Sequence, residues 1–525
     1  MSQIAGIFRQ PLKTAAAPLV LLVGCVAAAN GAVLQVGTYQ GIHGHFSTIQ
    51  AAVNAAKPGD WILIAPGDYH ERGYPGTGVW IVTPGIHVRG MDRNGVFVDG
   101  TLPGAATCSS APKDQDFGQG AGLNGVVVYQ VDGVSVENLT VCNFLGDNFS
   151  NQGNQIWWNG GDGSGVIGMG SYHGAYLTAT STYFDNSAIA PAGGVVQSAQ
   201  YGIFVSNSRG PGVIEYSYAS NMSDSSFYIG ACPDCNAVLN HVHAQNSAQG
   251  FSGSNSGGHL VLENSEWDHN QSGIVPSSLA IFDLPSPQNG ACPNDRDQSC
   301  TLIQFNFVHD NNNPNTPASG LAATSVVGSG INLTGGRNNT VQYNVVTNNG
   351  SWGVVLNDYA DYSAPVGTGP CVGGQAAFTP ASPYDQLYAG ALPIPCYFRS
   401  FGNRVVGNVM WGNGSFGNET NGDLGNAALP FHLDNCFSGN VDLKGGNPTA
   451  SPSNLPSACG RPWSPNTQQE FDLTLQLGCA SSVALCGPLP PNSYPRQTLV
   501  KLLPNPRDEG MENACTGVPA NSWCP

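Results

Sequence analysis

The feature that most limits the fold of this chain is a repeat: residues 201–224, 225–248 and 249–272 align as three consecutive units without a gap. Two columns are apolar in every unit: Ile203, Phe227 and Phe251 form one, and Ile214, Val238 and Leu262 form the other. Short β-branched segments alternate with turns rich in Gly, Asn and Ser, which leaves no room for a helix. Such a short period is typical of solenoids, whose repeats pack only against their neighbours. We therefore predict an all-β parallel β-helix.

Asparagine marks the turns of these coils. Met222, Asn246 and Asn270 occupy one turn position of the three units, and residues 340–349 and 405–413 also run from an apolar strand to an Asn. Asn and Gly tolerate the left-handed dihedral angles that sharp turns require. Stacked Asn side chains can hydrogen-bond from one strand layer to the next. We predict a structural Asn ladder without a chemical role.

A short helix is predicted ahead of the first coil. Ser47 can cap it, and Gln50 can close a capping box three residues later. Lys57-Pro58-Gly59-Asp60 ends the helix, and the apolar run from Trp61 to Ile64 predicts a buried strand. An amphipathic helix followed by an apolar strand is suited to capping the open end of a solenoid.

The segment 46–71, followed by Asn-punctuated coils such as residues 339–344, resembles the right-handed parallel β-helix proteins of the pectin-lyase-like superfamily. The resemblance spans residues 33–440 and implies right-handed coils and a polysaccharide ligand. It leaves the reaction open, because members include lyases, hydrolases, esterases, epimerases and non-catalytic binding proteins. The sequence lacks the Asp-Pro-His-Asp run of mannuronan epimerases, the Gly-His-Gly run with Asn-Thr-Asp and Asp-Asp pairs of polygalacturonases, and the Arg-x-Pro-x-x-Arg run of pectate lyases, which argues against those enzymes.

Both ends of the chain differ from the repeats. Residues 1–29 have the basic start and apolar centre of a signal peptide. The alternative is a lipoprotein signal, in which Cys25 carries a lipid anchor. Residues 33–440 are predicted as the β-helix domain, and the Pro- and Cys-rich residues 441–525 as a disulfide-held C-terminal cap or tail packed on the last coils. We expect a secreted or cell-surface protein without a transmembrane segment after the signal.

The 15 Cys of the sequence become 14 when Cys25 is set aside, and an even number favours disulfides in an exported protein. Several Cys lie close in sequence: Cys232 and Cys235, Cys292 and Cys300, Cys479 and Cys486, and Cys515 and Cys524. The pairs Cys292–Cys300 and Cys371–Cys396 are predicted to stiffen the two insertions, and the rest of the connectivity stays open. We predict a disulfide rather than a metal site at Cys232-Pro-Asp-Cys235, because no second pair stands at zinc spacing. We predict that no cofactor is required. The alternative is a Ca²⁺ ion that assists ligand binding.

The net charge of −17 excludes some partners. So acidic a chain does not offer the clustered Lys and Arg that bind nucleic acid, and its field does not attract an acidic polymer. Arg209 is the only Lys or Arg between residues 114 and 295. A polyuronate would therefore need this Arg, a bound cation or neutral hydrogen bonds.

Acids and histidines concentrate in the three aligned units. Strand side chains alternate, so Leu262, Trp267 and Asn270 are predicted inward. The outward set, which includes Ser265, contains the candidate catalytic residues Glu215, His241, Glu263, Glu266 and Asp268. The alignment puts Leu239 between Glu215 and Glu263, Tyr218 in the column of Glu266, and His241 in the column of Ser265.

Two coils are roughly 9.6 Å apart at a strand spacing of ~4.8 Å. That is close to the ~6.5–9.5 Å between the carboxyl groups of inverting glycosidases. One outward face is thus predicted to bring a general acid and a general base together. The alternative is a solvated polar face without a function.

Aromatic residues supply candidate binding groups, because flat rings suit sugar faces. The candidates are Trp157, Trp158, Tyr172, His173, Tyr218 and His269. The Trp pair has the alternative role of anchoring a loop. Two long insertions, 276–300 and 357–396, follow equivalent strands and are predicted to wall a groove.

Two functions are consistent with these patterns. The first is a polysaccharide-active enzyme of the lyase, hydrolase or epimerase type. The second is a non-catalytic cell-surface protein that binds glycan or matrix. A groove that holds two acids, or an acid and a His, favours the enzyme.

Overall fold

The computed structural model describes residues 31–147, 152–186, 196–279, 301–361, 375–376, 396–428, 435–459, 464–481 and 494–525. The predicted signal peptide and most of the two insertions lie outside these residues. Within them, no helix is long and apolar enough to cross a membrane.

Three long parallel sheets form the body, and each coil contributes one strand to each sheet. Sheet 1 contains Val33–Val36, Trp61–Ile64, His87–Gly90, Val134–Glu137, Tyr172–Ala175, Gly212–Glu215, Cys232–Asn240, Ser256–Glu263, Thr301–Gln304, Thr340–Gln342, Arg404–Val406 and Cys436–Ser438. Sheet 2 contains Gly67–Tyr69, Val96–Asp99, Thr140–Cys142, Thr178–Thr180, Tyr218–Ser220, His243–Gln245, Glu266–Asp268, Phe307–His309, Val345–Thr347, Val409–Trp411 and Val441–Asp442. Sheet 3 contains Thr77–Ile81, Asn124–Tyr129, Ile156–Asn159, Tyr201–Ser206, Ser225–Gly230, Gln249–Ser254, Ser272–Ser277, Ser329–Thr334, Trp352–Asn357, Gly422–Ala427 and Ala450–Ser451.

The remaining elements are few. They are the hairpin Thr38–Tyr39 and Ile42–His43, the small antiparallel sheet of Tyr359–Asp361, Gln375–Ala376 and Cys396–Phe398, helices α1 (Ile49–Ala55) and α2 (Thr467–Ala480), and 3-10 turns at Pro112–Asp114, Gly118–Gly120 and Gly320–Thr324. This architecture confirms the predicted right-handed parallel β-helix, whose hand is the one that parallel crossovers adopt.

Helix α1 is confirmed, but its cap differs from the prediction. The N-cap is Thr48, not Ser47, and its side chain accepts from the Ala51 N–H. The Glu71 carboxylate accepts from the backbone N–H groups at the first two helical positions, at 2.6 and 3.1 Å. Gln50 closes no capping box, because its side chain pairs with the backbone of Trp80 instead.

One apolar column was predicted correctly and the other was not. Ile203, Phe227 and Phe251 do pair from coil to coil. In sheet 1, however, Ile214 pairs with Leu239, not Val238. A β-bulge between residues 234 and 237 adds a residue to that strand and shifts its register.

The Asn ladder is confirmed. The Oδ1 of Asn344 accepts from the backbone N–H of Asn306 at 3.0 Å, and Asn408 does the same for Asn344. The turn column in the repeats is Met222, Ser247 and Asn270, so the prediction of Asn246 for this column was wrong by one residue. In these contacts a side-chain oxygen accepts from a buried backbone N–H of a turn, so the ladder has the structural role that was predicted.

The C-terminal segment packs at both ends of the solenoid. Helix α2 lies against Trp352 and Val355 of the late coils, as predicted. Residues 494–525 instead run back along the outside, where Leu503 bonds Asn221 and Met511 bonds Asn138. Asn521 reaches Gln35 in the first strand, so this part does not cap the last coils.

The described disulfides are Cys108–Cys142, Cys232–Cys235, Cys436–Cys459 and Cys515–Cys524. The disulfide interpretation of Cys232 and Cys235 is confirmed, and Cys515 and Cys524, which are also close in sequence, form a bridge. Cys292, Cys300, Cys371 and Cys486 lie outside the described residues, so their predicted bridges stay predictions.

We expect the mature protein to contain no free thiol, because 14 Cys remain after Cys25 is set aside. Thiol titration of the unfolded, non-reduced protein should give essentially zero. Reduced protein serves as the control and should release the full set. Two or more reactive thiols before reduction would contradict complete pairing.

Glu470 makes stability depend on pH. It is 2% exposed, and neither carboxyl oxygen has a hydrogen-bond partner among the described residues. Burial, with a smaller effect of Asp358, raises its pKa from 4.5 to about 8. The folded state therefore binds the proton more tightly, so stability is lost as pH rises from 4.5 to about 8.

We expect Glu470→Gln to melt increasingly above the wild type as pH rises through this window, because the amide cannot ionise. Thermal melts at pH 5 and pH 9 would measure the difference. Asp472→Asn, in the same helix but less buried, is the matched control and should follow the wild type. Parallel profiles for Glu470→Gln and the wild type would contradict the assignment.

Candidate functional site

A polar column follows the outer face of sheet 1. Its polar members are Arg89, Glu137, Glu215, Asn240, Glu263, Gln304 and Gln342, and Ala175 stands between Glu137 and Glu215. The neighbours of these residues along each strand point inward and are buried in the core. Ile214 beside Glu215 and Leu262 beside Glu263 are examples. Strand alternation therefore separates the apolar core from an outward line of acids and amides.

Glu215 and Glu263 share this column two coils apart. The residue between them is Asn240, not Leu239, because the bulge moves Leu239 into the inward column. The spacing of two coils between Glu215 and Glu263 agrees with the sequence prediction. The Gln304 amide donates to Glu263 at 2.8 Å.

His173 joins two carboxylates of the face. Its Nδ1 lies 3.1 Å from Glu137 Oε1, and its Nε2 lies 3.2 Å from Glu215 Oε1. The hydrogen bond to Glu137 raises the pKa of His173, burial opposes it, and Glu215 adds to the rise. For Glu137, burial favours a higher pKa, but the His173 hydrogen bond and the Arg89 charge outweigh it and lower the pKa. The arrangement favours an imidazolium between two carboxylates.

Arg89 is engaged by groups of the protein itself. Its Nε donates to Glu137 at 2.5 Å, and Nη1 donates to the carbonyls of Ala514 and Thr516 at 3.1 and 2.6 Å. The guanidinium also lies 4.6 Å above the Trp61 ring. Its charge is therefore neutralised by the protein and is not offered to a ligand.

A cavity of about 330 Å³ lies at the N-terminal end of this face. Its lining is Trp61, His87, Gly133, Ser135, Glu137, Ser171, Tyr172 and His173. The His87 ring stacks on Trp61 at 4.2 Å, and burial lowers the pKa of His87. The cavity thus combines aromatic walls with the carboxylate and imidazole groups of the column, a combination typical of ligand pockets.

The predicted aromatic binding residues are dispersed. Trp158 is fully buried in the core, which contradicts its predicted role, because alternation turns it inward when Trp157 points outward. Trp157 lies on sheet 3, stacks on Phe204 and donates to Ser206. Tyr172 is 4% exposed and packs on the core where it lines the cavity.

His241 stands at the turn between sheets 1 and 2. Its ring stacks on Tyr216, which stacks in turn on Tyr176, at centroid distances of 5.1 and 5.0 Å. The predicted column with Ser265 was wrong. Ser265 is buried in the turn ladder, where its hydroxyl accepts from the Val242 N–H.

The five candidate catalytic residues do not share one face. Glu215 and Glu263 lie on sheet 1, whereas Glu266 and Asp268 lie on sheet 2. A tight turn separates the two pairs, and Asn264 in it has a left-handed φ of 51°. The chain direction changes there, so residues adjacent in sequence face different sides.

Glu266 and Asp268 belong to a second polar cluster, on the outer face of sheet 2. Asp268 is 2% exposed and faces His243 at 2.6 Å, Gln245 at 2.7 Å and the ring of His269. Burial favours a higher pKa for Asp268, but these hydrogen bonds outweigh it and lower the pKa. The hydrogen bond between His269 and Asp268 raises the pKa of His269.

The cluster extends to the neighbouring coils. Glu266 Oε1 lies 3.1 Å from His309 Nε2. Tyr218 donates to Gln245 at 3.1 Å, and burial raises the pKa of Tyr218 to about 12. Tyr218 pairs with His243, which pairs with Glu266, so the predicted column of Tyr218 and Glu266 is confirmed.

Sequence reasoning missed Arg89, Glu137, His87, His243 and His309. The Val-Ser-Val-Glu run at 134–137 shows the outward position of Glu137, and the His-Val-His run at 241–243 shows a second imidazole two residues after His241. Coil lengths outside the three regular units vary, so only strand pairing aligns these residues.

Among the residues that the structure describes, three groups of side chains have ligand atoms close enough to hold a metal: Asp99, Cys108 and Cys142; Asp68, His70 and Asp99; and His243, Glu266 and Asp268. The first includes a disulfide. In the second, Asp99 accepts from the backbone N–H groups of Thr101 and Cys108. Ca²⁺ prefers oxygen ligands alone, so the predicted option of Ca²⁺ gains no specific site and stays a prediction.

Comparison with known proteins finds no matching family model and no matching curated protein. Solved structures do match. The A-module of the mannuronan C-5 epimerase AlgE4 from Azotobacter vinelandii is 14% identical over 76% of this chain and 87% of its own, with a TM-score of 0.41. The pectin methylesterase PemA from Erwinia chrysanthemi is 16% identical over 54% and 80%, with a TM-score of 0.32. Pectate lyase Pel9A is 12% identical over 82% of each chain, with a TM-score of 0.37.

Proposed function

We propose that this protein is exported and hydrolyses a neutral extracellular polysaccharide on the outer face of sheet 1. The observation that carries the proposal is the pair Glu215 and Glu263, which stand in one outward column two coils apart. Two strand intervals amount to roughly 9.6 Å. That separation is near the upper end of the ~6.5–9.5 Å range for inverting glycosidases, which leaves room for a water between the general base and the sugar.

The surroundings of the two acids assign different roles. Glu215 faces His173, whose pKa is raised by Glu137 and Glu215. The contact between His173 Nε2 and Glu215 Oε1 at 3.2 Å holds this carboxylate on the outer face, where it can activate a water as general base. Glu263 stands two coils away on the same face, where it accepts a hydrogen bond from the amide of Gln304, and its position across the sugar assigns it the part of general acid. Differing environments for two carboxyls are the usual basis of such a division.

The charge of the face favours hydrolysis over elimination or epimerisation. Those two reactions act on uronates and need a group that neutralises the sugar carboxylate. The column carries Glu137, Glu215 and Glu263. Its guanidinium, Arg89, is paired with Glu137 and with tail carbonyls, and the imidazolium of His173 is paired with Glu137 and Glu215. A polyuronate would meet three carboxylates, whereas the amides of Asn240, Gln304 and Gln342 match the hydroxyls of a neutral sugar.

Export is part of the proposal. The disulfides in the described residues are of a kind that persists in oxidising compartments. Residues 1–29 supply a signal peptide, or a lipoprotein signal if Cys25 is modified. Either route delivers the protein to the cell surface or beyond, where polysaccharides are found.

The test is a screen of the purified protein on neutral glucans, xylans, mannans and galactans beside polygalacturonate and alginate. New reducing ends and the absorbance of unsaturated products are read in parallel. We expect reducing ends from a neutral polymer and no unsaturated product. Unsaturated ends from a uronate would contradict the proposal. Retention in affinity electrophoresis without cleavage of any polymer would favour the non-catalytic glycan-binding alternative.

A further inference from the structure

The cluster on sheet 2 lies outside the proposed hydrolytic face and combines imidazoles with carboxylates. One ligand atom from each of His243, Glu266 and Asp268 lies within 4.8 Å of the other two. His309 joins them through its Nε2, which is 3.1 Å from Glu266 Oε1. We propose that these four side chains bind one divalent transition-metal ion, for which zinc is the best match.

The ligand chemistry selects the kind of ion. Two imidazole nitrogens and two carboxylate oxygens resemble the nitrogen and oxygen sets that hold zinc, with bonds of about 2.0–2.2 Å. Calcium and magnesium prefer oxygen ligands alone. The site therefore favours zinc and similar ions over calcium.

Two contacts within the cluster lie near the spacing that a bound ion requires. Tetrahedral ligands at ~2.0–2.2 Å from zinc are roughly 3.3–3.6 Å from one another. The Glu266–His309 contact of 3.1 Å is close to this value, and the His243–Asp268 contact of 2.6 Å is a hydrogen bond that must open. An ion between His243 and Asp268 would replace the proton that they share.

Neighbouring groups already orient two of the ligands. Asp310 lies 2.8 Å from His309 Nδ1, which leaves Nε2 directed at Glu266. The amide of Gln245 donates to Asp268 Oδ2 at 2.7 Å, while Oδ1 faces His243. A carboxylate on the far nitrogen of an imidazole ligand is the usual outer-shell partner in metal sites.

The fold supplies the rigidity that a site needs. The ligands stand on three successive strands of sheet 2, His243–Gln245, Glu266–Asp268 and Phe307–His309. Such hydrogen-bonded strands hold side chains more firmly than loops do. Asp268 is buried, while Glu266 is partly open to solvent, so an ion can enter from the outer face.

The experiment uses the whole mature protein after dialysis against a chelator. Calorimetric titration with zinc chloride, and separately with calcium chloride, gives stoichiometry and affinity. We expect one zinc per chain and at least tenfold weaker binding of calcium. Outer-shell and ligand substitutions commonly cost 10- to 100-fold in metal affinity. We therefore expect His243→Gln and Glu266→Gln each to weaken zinc binding at least tenfold.

A matched control separates this site from adventitious binding. His259 is paired with Asp234 away from the cluster, and His259→Gln should leave zinc affinity unchanged. Melting of each variant without metal shows whether the coil still folds, and His309→Gln replaces any variant that does not. No zinc binding, or equal affinity in the wild type and the folded ligand variants, would overturn the proposal. Neither result bears on hydrolysis, because the sheet 1 acids are not involved.

Discussion

Replacement of Glu263 by Gln is expected to lower turnover of the polysaccharide 10²- to 10⁴-fold, the usual cost of removing one general acid or base. The amide keeps the shape of the side chain and its contact with Gln304 but cannot transfer a proton. The melting temperature should change little, because outward side chains away from special contacts affect stability by only about 0.5 kcal/mol. Turnover and melting are measured on the same sample.

Two further variants complete this test. Glu215→Gln should give a loss of similar size, and the double variant should lose little more, because the two acids act in one step. Glu419→Gln is the matched control, since Glu419 is an exposed acid far along the chain from the column. Full turnover in both single variants would refute the assignment. Loss of turnover together with a collapsed melt would show a structural role only.

The fold could be predicted because one physical constraint repeats in every coil. Each coil must bury alternate side chains and close its turns with residues that tolerate left-handed dihedral angles. Phe227 and Phe251 therefore recur in one column, and Asn306, Asn344 and Asn408 recur in the turns. The same alternation correctly predicts that Trp267 points inward.

The register could be predicted only in part, because a local insertion is invisible in an ungapped alignment. Ile214 pairs with Leu239, which lies 25 residues later in the chain. Leu239 pairs with Leu262, which lies 23 residues later. The two deviations cancel over two coils. The relation of Glu215 to Glu263 was therefore correct, while the residue predicted between them was wrong.

The site was harder to predict than the fold. Residues 263–268 are continuous in sequence, but the turn at Asn264 divides them between two sheets. Conversely, Glu137 and His173 come from different coils and meet only through strand pairing, at 3.1 Å. Loops of variable length separate these coils, so neither period nor spacing along the chain indicates the contact.

The other large effect concerns the core rather than the site. Trp267→Ala is expected to reduce the free energy of unfolding by about 3–5 kcal/mol, as other large-to-small core substitutions do. Trp267 is 0% exposed, and its ring meets the edges of Phe227 and Phe251 at centroid distances of 5.9 and 6.1 Å. Its Nε1 also donates to Asn306 Oδ1 at 3.2 Å, so the substitution would disturb the Asn ladder as well.

Urea or thermal unfolding of the full chain measures this loss, with Trp157→Ala as the matched control. Trp157 has the same volume but points outward and stacks on Phe204, so its truncation should cost markedly less. Each repeat contacts only its neighbours, so the cavity left by Trp267 has few elements that can collapse into it. Equal losses for the two variants would show that the inward and outward faces of these coils are not energetically distinct, contrary to the observed packing.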